Sequence, residues 1–327
     1  MRYATDMENR TFLWSVVVIA RNEADRLESC LDHIVNELRD RSACVTVILN
    51  GTRDRSAEIA QRFVAGVTIP SQAFDIPFAD KSNAWNQYVY GIAPEASMHT
   101  FVDGYAYAAP GSLDALATAL AADPNAHAAT GMPSGTPGAA AQHEGMLRDG
   151  GLHGSLHALR DDFLQRIRTH GLRIPVGLYR GDGLIGSIAM HNCDSAVCPW
   201  DRNRVALVPE ATWRAREINL KTLVRHLRRQ VNQARGKLES GAIKSVIYPH
   251  GFAALPRFAD EMLRDYVASH PEAQPDRTDL AGRLALRQLA RPRAPSDTDL
   301  VPRLLASTMP AQKRSASGAA TDRAACS

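Results

Sequence analysis

The sequence lacks a long apolar run and has few aromatic residues, 6% of the chain. Its longest early hydrophobic stretch, residues 11–20, is well short of the roughly 20 apolar residues that a membrane-spanning helix needs. Asp6 and Glu8 precede this stretch, and no small-residue cleavage site follows it. We therefore expect neither a spanning helix nor a secretory leader, and we predict a cytoplasmic protein.

The chain also lacks a strong charge of either sign and a paired set of cysteines. Lys and Arg number 38 against 35 Asp and Glu, a net charge of +3 that gives no general reason to expect nucleic-acid binding. The five cysteines are odd in number and scattered, which favours a reducing compartment over a disulfide framework.

What the 327 residues do contain is an alternation of strand and helix patterns. The β-branched run Ser15–Ile19 is typical of a strand buried on both faces. Asn22 can cap a following helix, Val45–Leu49 predicts a second strand, and Asp54 or Ser56 begins a second helix. This order predicts an α/β fold with a mostly parallel sheet flanked by helices.

The same reasoning gives the later elements. We predict strands at 67–69, 99–102, 127–130, 152–159 and 205–208, helices at 81–90, 113–121 and 161–169, and a loop at 131–140.

The character of the chain changes near residue 213. Residues 213–238 predict a long basic helix, which could also contact anionic lipid headgroups at the inner face of a membrane. Beyond residue 271 the composition predicts a largely disordered tail. We therefore divide the chain into an α/β domain (1–212), a basic helical extension packing on it (213–270) and the tail (271–327).

Three polar clusters follow three of the predicted strands: 21–23, 50–54 and 103–105. In open α/β sheets, ligands bind outside the carboxyl ends of the strands. For any one cluster alone, the cap of the next helix is the favoured explanation. Three clusters at equivalent strand ends favour a shared binding crevice.

The order of these motifs resembles the family-two inverting glycosyltransferases, which have the Rossmann-like GT-A fold. The resemblance covers roughly residues 12–235. It is carried by SVVVIARNEADRLESCLDHI, VTVILNGTRDRSAEIAQRF, DKSNAWNQYVYGI, FVDGYAYAAPGSLDAL, and GLHGSLHALRDDFLQRI followed by YRGDGLIG.

The resemblance implies a role for particular residues. It implies a nucleotide-sugar donor, with UDP favoured as the nucleotide, and an unidentified acceptor hydroxyl. Asp182 would be the general base. Asp103 would be the first carboxylate of an Asp-x-Asp metal motif that continues through Gly104 and Tyr105. The residues that would face the donor are Ala20, Arg21, Asn22, Glu23, Asn50, Asp54, Lys81 and Asn86.

Three departures from the family pattern affect this interpretation. Leu49 replaces a base-binding carboxylate, Tyr105 replaces the second metal carboxylate, and Gly181 replaces the Glu before the base. A divalent cation prefers several oxygen ligands, so we expect binding of Mn²⁺ or Mg²⁺ to be weakened or absent. Arg228 and Arg229 are then candidates for offsetting the charge of the leaving group.

Three functions remain open at this point. The first is a glycosyltransferase, and the second is a non-catalytic nucleotide-sugar-binding or scaffold protein of the same fold. A sugar-1-phosphate nucleotidyltransferase ranks last, because it would need a glycine-rich basic loop after the first strand, and ARNEADR is not one.

Overall fold

The computed structural model describes residues 12–135, 138–215, 222–273, 275, 279–290 and 295–310, with the backbone alone for residue 149 and residues 222–229. The strands are β1 Phe12–Ala20, β2 Ala43–Asn50, β3 Ser71–Ile76, β4 Ala96–Asp103, β5 Ala106–Ala108, β6 Ala128–Pro133, β7 Leu156–Arg160, β8 Val205–Ala215 and β9 Arg303–Ser307. The helices are α1 Leu27–Glu37, α2 Ser56–Gly66, α3 Lys81–Gln87, α4 Ser112–Ala122, α5 Ala139–Asp149, α6 Asp161–Thr169, α7 Gly181–Met190, α8 Thr222–His250, α9 Ala259–Ser269, α10 Leu280–Leu289 and α11 Asp297–Leu300. A π-helical turn, Tyr88–Ile92, extends α3.

Within the described residues, the strands form one sheet in the order β5-β8-β6-β7-β4-β1-β2-β3-β9. The centre, β4-β1-β2-β3, is parallel, as the buried apolar runs predict. β7 is antiparallel to both of its neighbours, and β9 is antiparallel to β3. The sheet is therefore mixed, with a parallel core.

Helices cover both faces of the sheet, because successive side chains of a strand point to opposite faces. Val16 and Val18 of β1 pack with the apolar residues of α1, α2 and α4. Val17 and Ile19 pack on the other face with those of α3, α6, α7 and α8. This is why β1 and β2 are apolar at nearly every position.

The carboxyl-terminal region is more ordered than we predicted. α8, α9 and α10 contribute apolar side chains to the same core as α3 and α7, including Leu238, Ile243 and Leu263. β9 adds an edge strand to the sheet through pairs such as Gln72 with Ser307. The prediction of a disordered tail (271–327) is wrong for α10, α11 and β9, whereas α8 and α9 belong to the region predicted as a helical extension. Residues 274, 276–278, 291–294 and 311–327 lie outside the described part of the chain. The division into domains stays a prediction.

Three local predictions also need correction. Val67 caps α2, and the strand predicted at 67–69 begins at Ser71 instead. The loop predicted at 131–140 is occupied by the end of β6 and the start of α5. Trp213 lies on β8, so the basic helix begins at Thr222 and extends to His250.

Two further features bear on the sequence predictions. Cys30, Cys44 and Cys193 are free thiols, whereas Cys198 is disulfide-bonded, which the scattered cysteines did not lead us to expect. No helix in the described residues combines the length and the apolar character needed to span a bilayer.

Candidate functional site

A cavity of about 1640 Å³ opens at the carboxyl ends of the parallel strands. Most ligand pockets have volumes of about 300–1000 Å³, so this cavity has room for two molecules side by side. Of nine residues predicted from the sequence to face the donor or act as the base, eight line this cavity and one does not. Ala20, Arg21, Glu23, Asn50, Lys81, Asp103, Tyr105 and Asp182 line it, and Asn22 lies just outside.

Asp103 ends β4, and both of its carboxylate oxygens have partners. Oδ1 lies 2.5 Å from the Nζ atom of Lys81, in the first turn of α3. Oδ2 accepts a hydrogen bond of 3.1 Å from the Oγ atom of Ser155. The Asp103 side chain is 10% exposed, but that of Lys81 is 48% exposed, so the ammonium can still meet a ligand.

Tyr105 extends this cluster. By the family resemblance, its position is that of the second carboxylate of the Asp-x-Asp motif. Its hydroxyl lies 3.0 Å from the Oγ atom of Ser155. Because Ser155 has one hydroxyl proton and donates it to Asp103, the phenol must donate to Ser155. The negative charge of Asp103, followed by burial, raises the pKa of Tyr105 well above its usual range, so the phenol stays protonated.

Asp182 lies in the first turn of α7, on the same cavity. Its Oδ2 atom accepts a hydrogen bond of 3.1 Å from the Gly154 amide, and its Oδ1 atom one of 2.9 Å from Gly183. A Cβ at Gly154 would lie 3.0 Å from both Asp182 Oδ2 and Lys81 Nζ. Asp182 and the Lys81–Asp103 pair therefore converge on one short stretch of backbone.

The ends of β1 and β2 also line the cavity. Asn50 donates a hydrogen bond of 3.0 Å to the Ala20 carbonyl and so ties the two strand ends together. Asn22 has a φ of 54° and accepts from the Arg53 amide at 2.8 Å. Asp54 accepts from the Ala24 amide at 3.0 Å. Asn22 and Asp54 thus hold the loops together without lining the cavity.

Two other predicted residues also act on the framework. The Asn86 carboxamide exchanges hydrogen bonds of 2.8 and 3.0 Å with the backbone of Ile174, and its side chain does not line the cavity. Gly104 donates to the Ile19 carbonyl at 2.9 Å, and a Cβ there would lie 2.5 Å from that of Ala20. Glycine is needed at this crossing of β1 and β4.

Histidines that we did not single out from the sequence also line the cavity. His157 donates from Nδ1 to the His153 carbonyl at 3.1 Å, while its buried Nε2 has no partner among the described residues. Burial, aided by the charge of Lys81, lowers the pKa of His157 to about 3. Burial also lowers the pKa of His153, against the charges of Asp182 and Asp103. Both imidazoles are therefore neutral at pH 7.

The carboxyl-terminal helix α8 closes one side of the cavity. Glu239 is fully buried and accepts the amide protons of Tyr179 and Arg180, at 2.9–3.1 Å, as well as a hydrogen bond of 3.0 Å from Arg235. Arg235 also donates to Asp260 at 2.6 Å. This ion-pair network, which we call the rim clamp, holds the loop that leads directly into Asp182. The side chains of Arg228 and Arg229 lie outside the described residues.

The residues present fit a divalent cation poorly. No group of three His, Cys, Asp or Glu side chains in the described residues could hold a metal ion. Lys81 already occupies one oxygen of Asp103. Two unit charges 4 Å apart interact by about 4 kcal/mol at an effective dielectric of about 20, and the repulsion doubles for a divalent ion. A dication on Asp103 would have to displace the ammonium.

Comparison with known proteins identifies the fold. No family model and no curated protein matches the sequence. Among solved structures, the mannosyltransferase PcManGT from Pyrobaculum calidifontis, in complex with GDP-Man and Mn²⁺, has a TM-score of 0.55 and 17% identity over 86% of this chain and 80% of that chain. S. aureus TarS 1-349 has a TM-score of 0.50 and 13% identity, over 80% and 72%. The chain therefore has the GT-A fold that its motif order predicts.

Proposed function

We propose that this protein is a glycosyltransferase that moves a sugar from a nucleotide-sugar donor to an acceptor hydroxyl with inversion. The observation that supports it best is the shared cavity. The ends of β1, β2 and β4 and the start of α7 all line this one volume, with a lysine–carboxylate pair on one side and Asp182 close by. A ligand in this cavity would meet both groups at once.

The donor's nucleotide would lie along the ends of β1 and β2. There the peptide groups and side chains of Ala20, Arg21, Glu23 and Asn50 line the cavity. Its diphosphate would reach Lys81, which lies at the beginning of α3, where helix amides favour negative charge. PcManGT was solved with GDP-Man, whereas the family resemblance favours UDP, so the test must include both nucleotides.

Asp182 would act as the general base. The acceptor oxygen attacks the anomeric carbon, the bond from that carbon to the diphosphate breaks, and its electron pair leaves with the diphosphate. The acceptor proton passes to Asp182, so atoms and charges balance. Attack on the face opposite the leaving group inverts the anomeric centre. The cavity volume of about 1640 Å³ accommodates donor and acceptor together.

A donor panel tests this proposal. Purified protein would be titrated calorimetrically with UDP, GDP and their hexose conjugates, and turnover would be followed by release of the nucleotide. Binding of one nucleotide with slow hydrolysis of its sugar is expected, and NMR of the released sugar should show the inverted anomer first. Absence of binding to every nucleotide would refute both this function and its non-catalytic alternative.

The alternative is a non-catalytic nucleotide-sugar-binding or scaffold protein. One observation favours it: both oxygens of Asp182 already accept backbone hydrogen bonds. Donor binding without hydrolysis or transfer to any acceptor, and with identical behaviour of Asp182→Asn, would support this alternative over the enzyme.

Attachment to an anionic membrane surface through the basic segment 213–238 is a secondary proposal. Co-sedimentation with phosphatidylglycerol vesicles, compared with phosphatidylcholine vesicles, tests it. If the same fraction of the protein sediments with both types of vesicle, the proposal is contradicted.

A further inference from the structure

The contacts of Lys81 with Asp103 and Gly154 use two of the three hydrogen-bond donors of its ammonium group. An ammonium group has three N–H bonds. One lies against Asp103 Oδ1 at 2.5 Å, and one donates to the Gly154 carbonyl at 3.1 Å. The third has no partner among the described residues and is left for a ligand, on a side chain that lines the cavity and is 48% exposed.

Asp103 is arranged to anchor this lysine. Its second oxygen is bound to Ser155, which in turn accepts from Tyr105. In the series Tyr105–Ser155–Asp103, each hydroxyl donates a hydrogen bond toward the carboxylate. This arrangement stabilises the charge of Asp103 and does not provide a second carboxylate ligand for a metal. Since the phenol carries no negative charge, the single charge of Asp103 is matched by the single charge of Lys81.

We propose that the Lys81 ammonium, anchored by Asp103, takes the place of a divalent cation at the donor diphosphate. This inference rests on the proposed function and specifies its cofactor requirement: none. As the bond to the anomeric carbon breaks, its electron pair goes to the departing phosphate oxygen. The third N–H of Lys81 donates to that diphosphate, and the lysine keeps all of its protons.

Two other features agree with this role. At Gly154 both the Lys81 ammonium and the Asp182 carboxylate approach the same backbone, and a Cβ there would make a tight contact of 3.0 Å with each. The ammonium thus lies close to the Asp182 carboxylate in the same cavity. The N-cap Asp80, which accepts from the Asn83 amide at 2.7 Å, fixes the first turn of α3 that carries Lys81.

The first test measures nucleotide binding with and without a divalent cation. Calorimetric titration of the full chain with UDP and with GDP would be run in EDTA, in Mg²⁺ and in Mn²⁺. We expect dissociation constants that agree within about threefold across the three conditions, because the diphosphate would bind the third N–H of Lys81 and the ammonium leaves no place for a cation on Asp103. Binding that requires the cation overturns the inference and leaves the proposed function intact.

A second test exchanges the lysine for a metal site. Lys81→Met should weaken nucleotide binding in EDTA about tenfold or more, the effect of removing a charge-assisted hydrogen bond. Lys81→Ala combined with Tyr105→Asp provides two carboxylates and no ammonium. In this double variant, Mn²⁺ should raise the melting temperature and restore nucleotide affinity, whereas it should do neither in the wild-type protein.

Lys237→Met is the matched control, because Lys237 also lines the cavity but does not contact Asp103. It should keep the wild-type ratio of affinities in EDTA and Mn²⁺. If Lys81→Met binds as tightly as wild type in EDTA, the inference is refuted whatever the double variant does. If no nucleotide binds the wild-type protein in any condition, the proposed function and this inference both fail.

Discussion

Two polar networks are centred on His99 and Asp103, which lie four residues apart on the same face of β4. They differ in whether a hydrogen-bonding group remains available to a ligand. In the core network, Ser15 Oγ and Tyr88 OH lie 2.8 Å apart, Tyr88 OH lies 2.8 Å from His99 Nδ1, and His99 Nε2 lies 3.1 Å from Asp161 Oδ1. In the cavity network, Asp103 joins Lys81 to Ser155 and Tyr105.

The difference follows from where the strand stops. His99 lies in the middle of β4 and is fully buried under the extension of α3, so its partners all come from the chain. Asp103 is the last residue of the strand, where the covering helices end and the cavity begins. Polar groups of the same kind therefore stabilise the fold at one position and face a ligand at the other.

The largest expected effect is on the cavity side. Asp182→Asn keeps the size of the side chain but removes the proton acceptor, so the transfer rate should fall by about 10²–10⁴-fold. Nucleotide binding should change little, and the unfolding free energy should fall by about 1 kcal/mol, because the carboxamide can accept only one of the two backbone hydrogen bonds. Rates of nucleotide release, with Asp201→Asn, at a carboxylate that does not line the cavity, as the control, measure this effect. A variant that retains nearly full activity would rule out Asp182 as the base.

The groups of the rim clamp pair with one another, as in the core network, but the clamp borders the cavity, as the cavity network does. We therefore expect an intermediate effect. Glu239→Gln removes the charge opposite Arg235 but keeps one acceptor oxygen. We expect a loss of about 3 kcal/mol in unfolding free energy, near the lower end for breaking a buried ion pair. Urea denaturation measures it. Ser240, the next residue of the same helix, accepts an exposed hydrogen bond from Arg180, and Ser240→Ala should change stability far less.

The core network should affect stability without affecting binding. Tyr88→Phe leaves the hydroxyl of Ser15 and the imidazole of His99 without their shared partner, at a cost of about 1–3 kcal/mol. Denaturation with urea measures this loss, and Tyr248→Phe, at an exposed tyrosine, is the control. A Tyr88→Phe protein that is as stable as wild type but binds nucleotide more weakly would reverse our assignment of the two networks.

The effect of pH is the smallest for a change of one pH unit. A histidine whose pKa is lowered in the folded state stabilises the protein fully above its unfolded pKa and loses this contribution as the pH falls. For His157 the window runs from about 6.5 in the unfolded chain down to about 3 in the folded protein. Its contribution to the unfolding free energy should decline by up to about 1.4 kcal/mol per pH unit.

Urea denaturation of wild type and His157→Gln between pH 8 and pH 4 measures this decline. The variant should show a shallower slope below pH 6.5, while the difference between the two proteins stays constant above pH 7. Equal slopes throughout would mean that the proton on His157 does not distinguish the folded from the unfolded chain.

The parallel centre of the sheet could be predicted because its signal is local. Val16, Val17 and Val18 are all buried, on alternating faces, so an uninterrupted β-branched run indicated a strand covered by helices on both sides. The polar residues that follow such strands had to emerge at one edge, and Asn50 and Asp103 do line one cavity.

β7 shows what this reasoning missed. We looked for ligand-binding residues only after strands, yet β7 is antiparallel to β4. Its beginning, with Gly154 and Ser155 just before it, therefore lies beside the end of β4. No local pattern in GLHGSLHAL states the direction of that strand, so Ser155 was not found.

β3 and β9 were missed for a related reason. SQAFDI is short and only partly apolar, and its hydrogen-bonding partner on one side lies more than two hundred residues away. Residues 303–307 have no pattern that distinguishes them from a tail. Their structure depends on an available sheet edge, which the local sequence does not encode.

The sequence was sufficient to identify the alternating helices and strands and the order of the motifs, because each depends on neighbouring residues. The pairing of Lys81 with Asp103, the clamp on the loop before Asp182 and the contribution of β7 depend on the fold. Side-chain periodicity reports burial along one segment, whereas charge pairing depends on which distant segments the strand order and direction bring together.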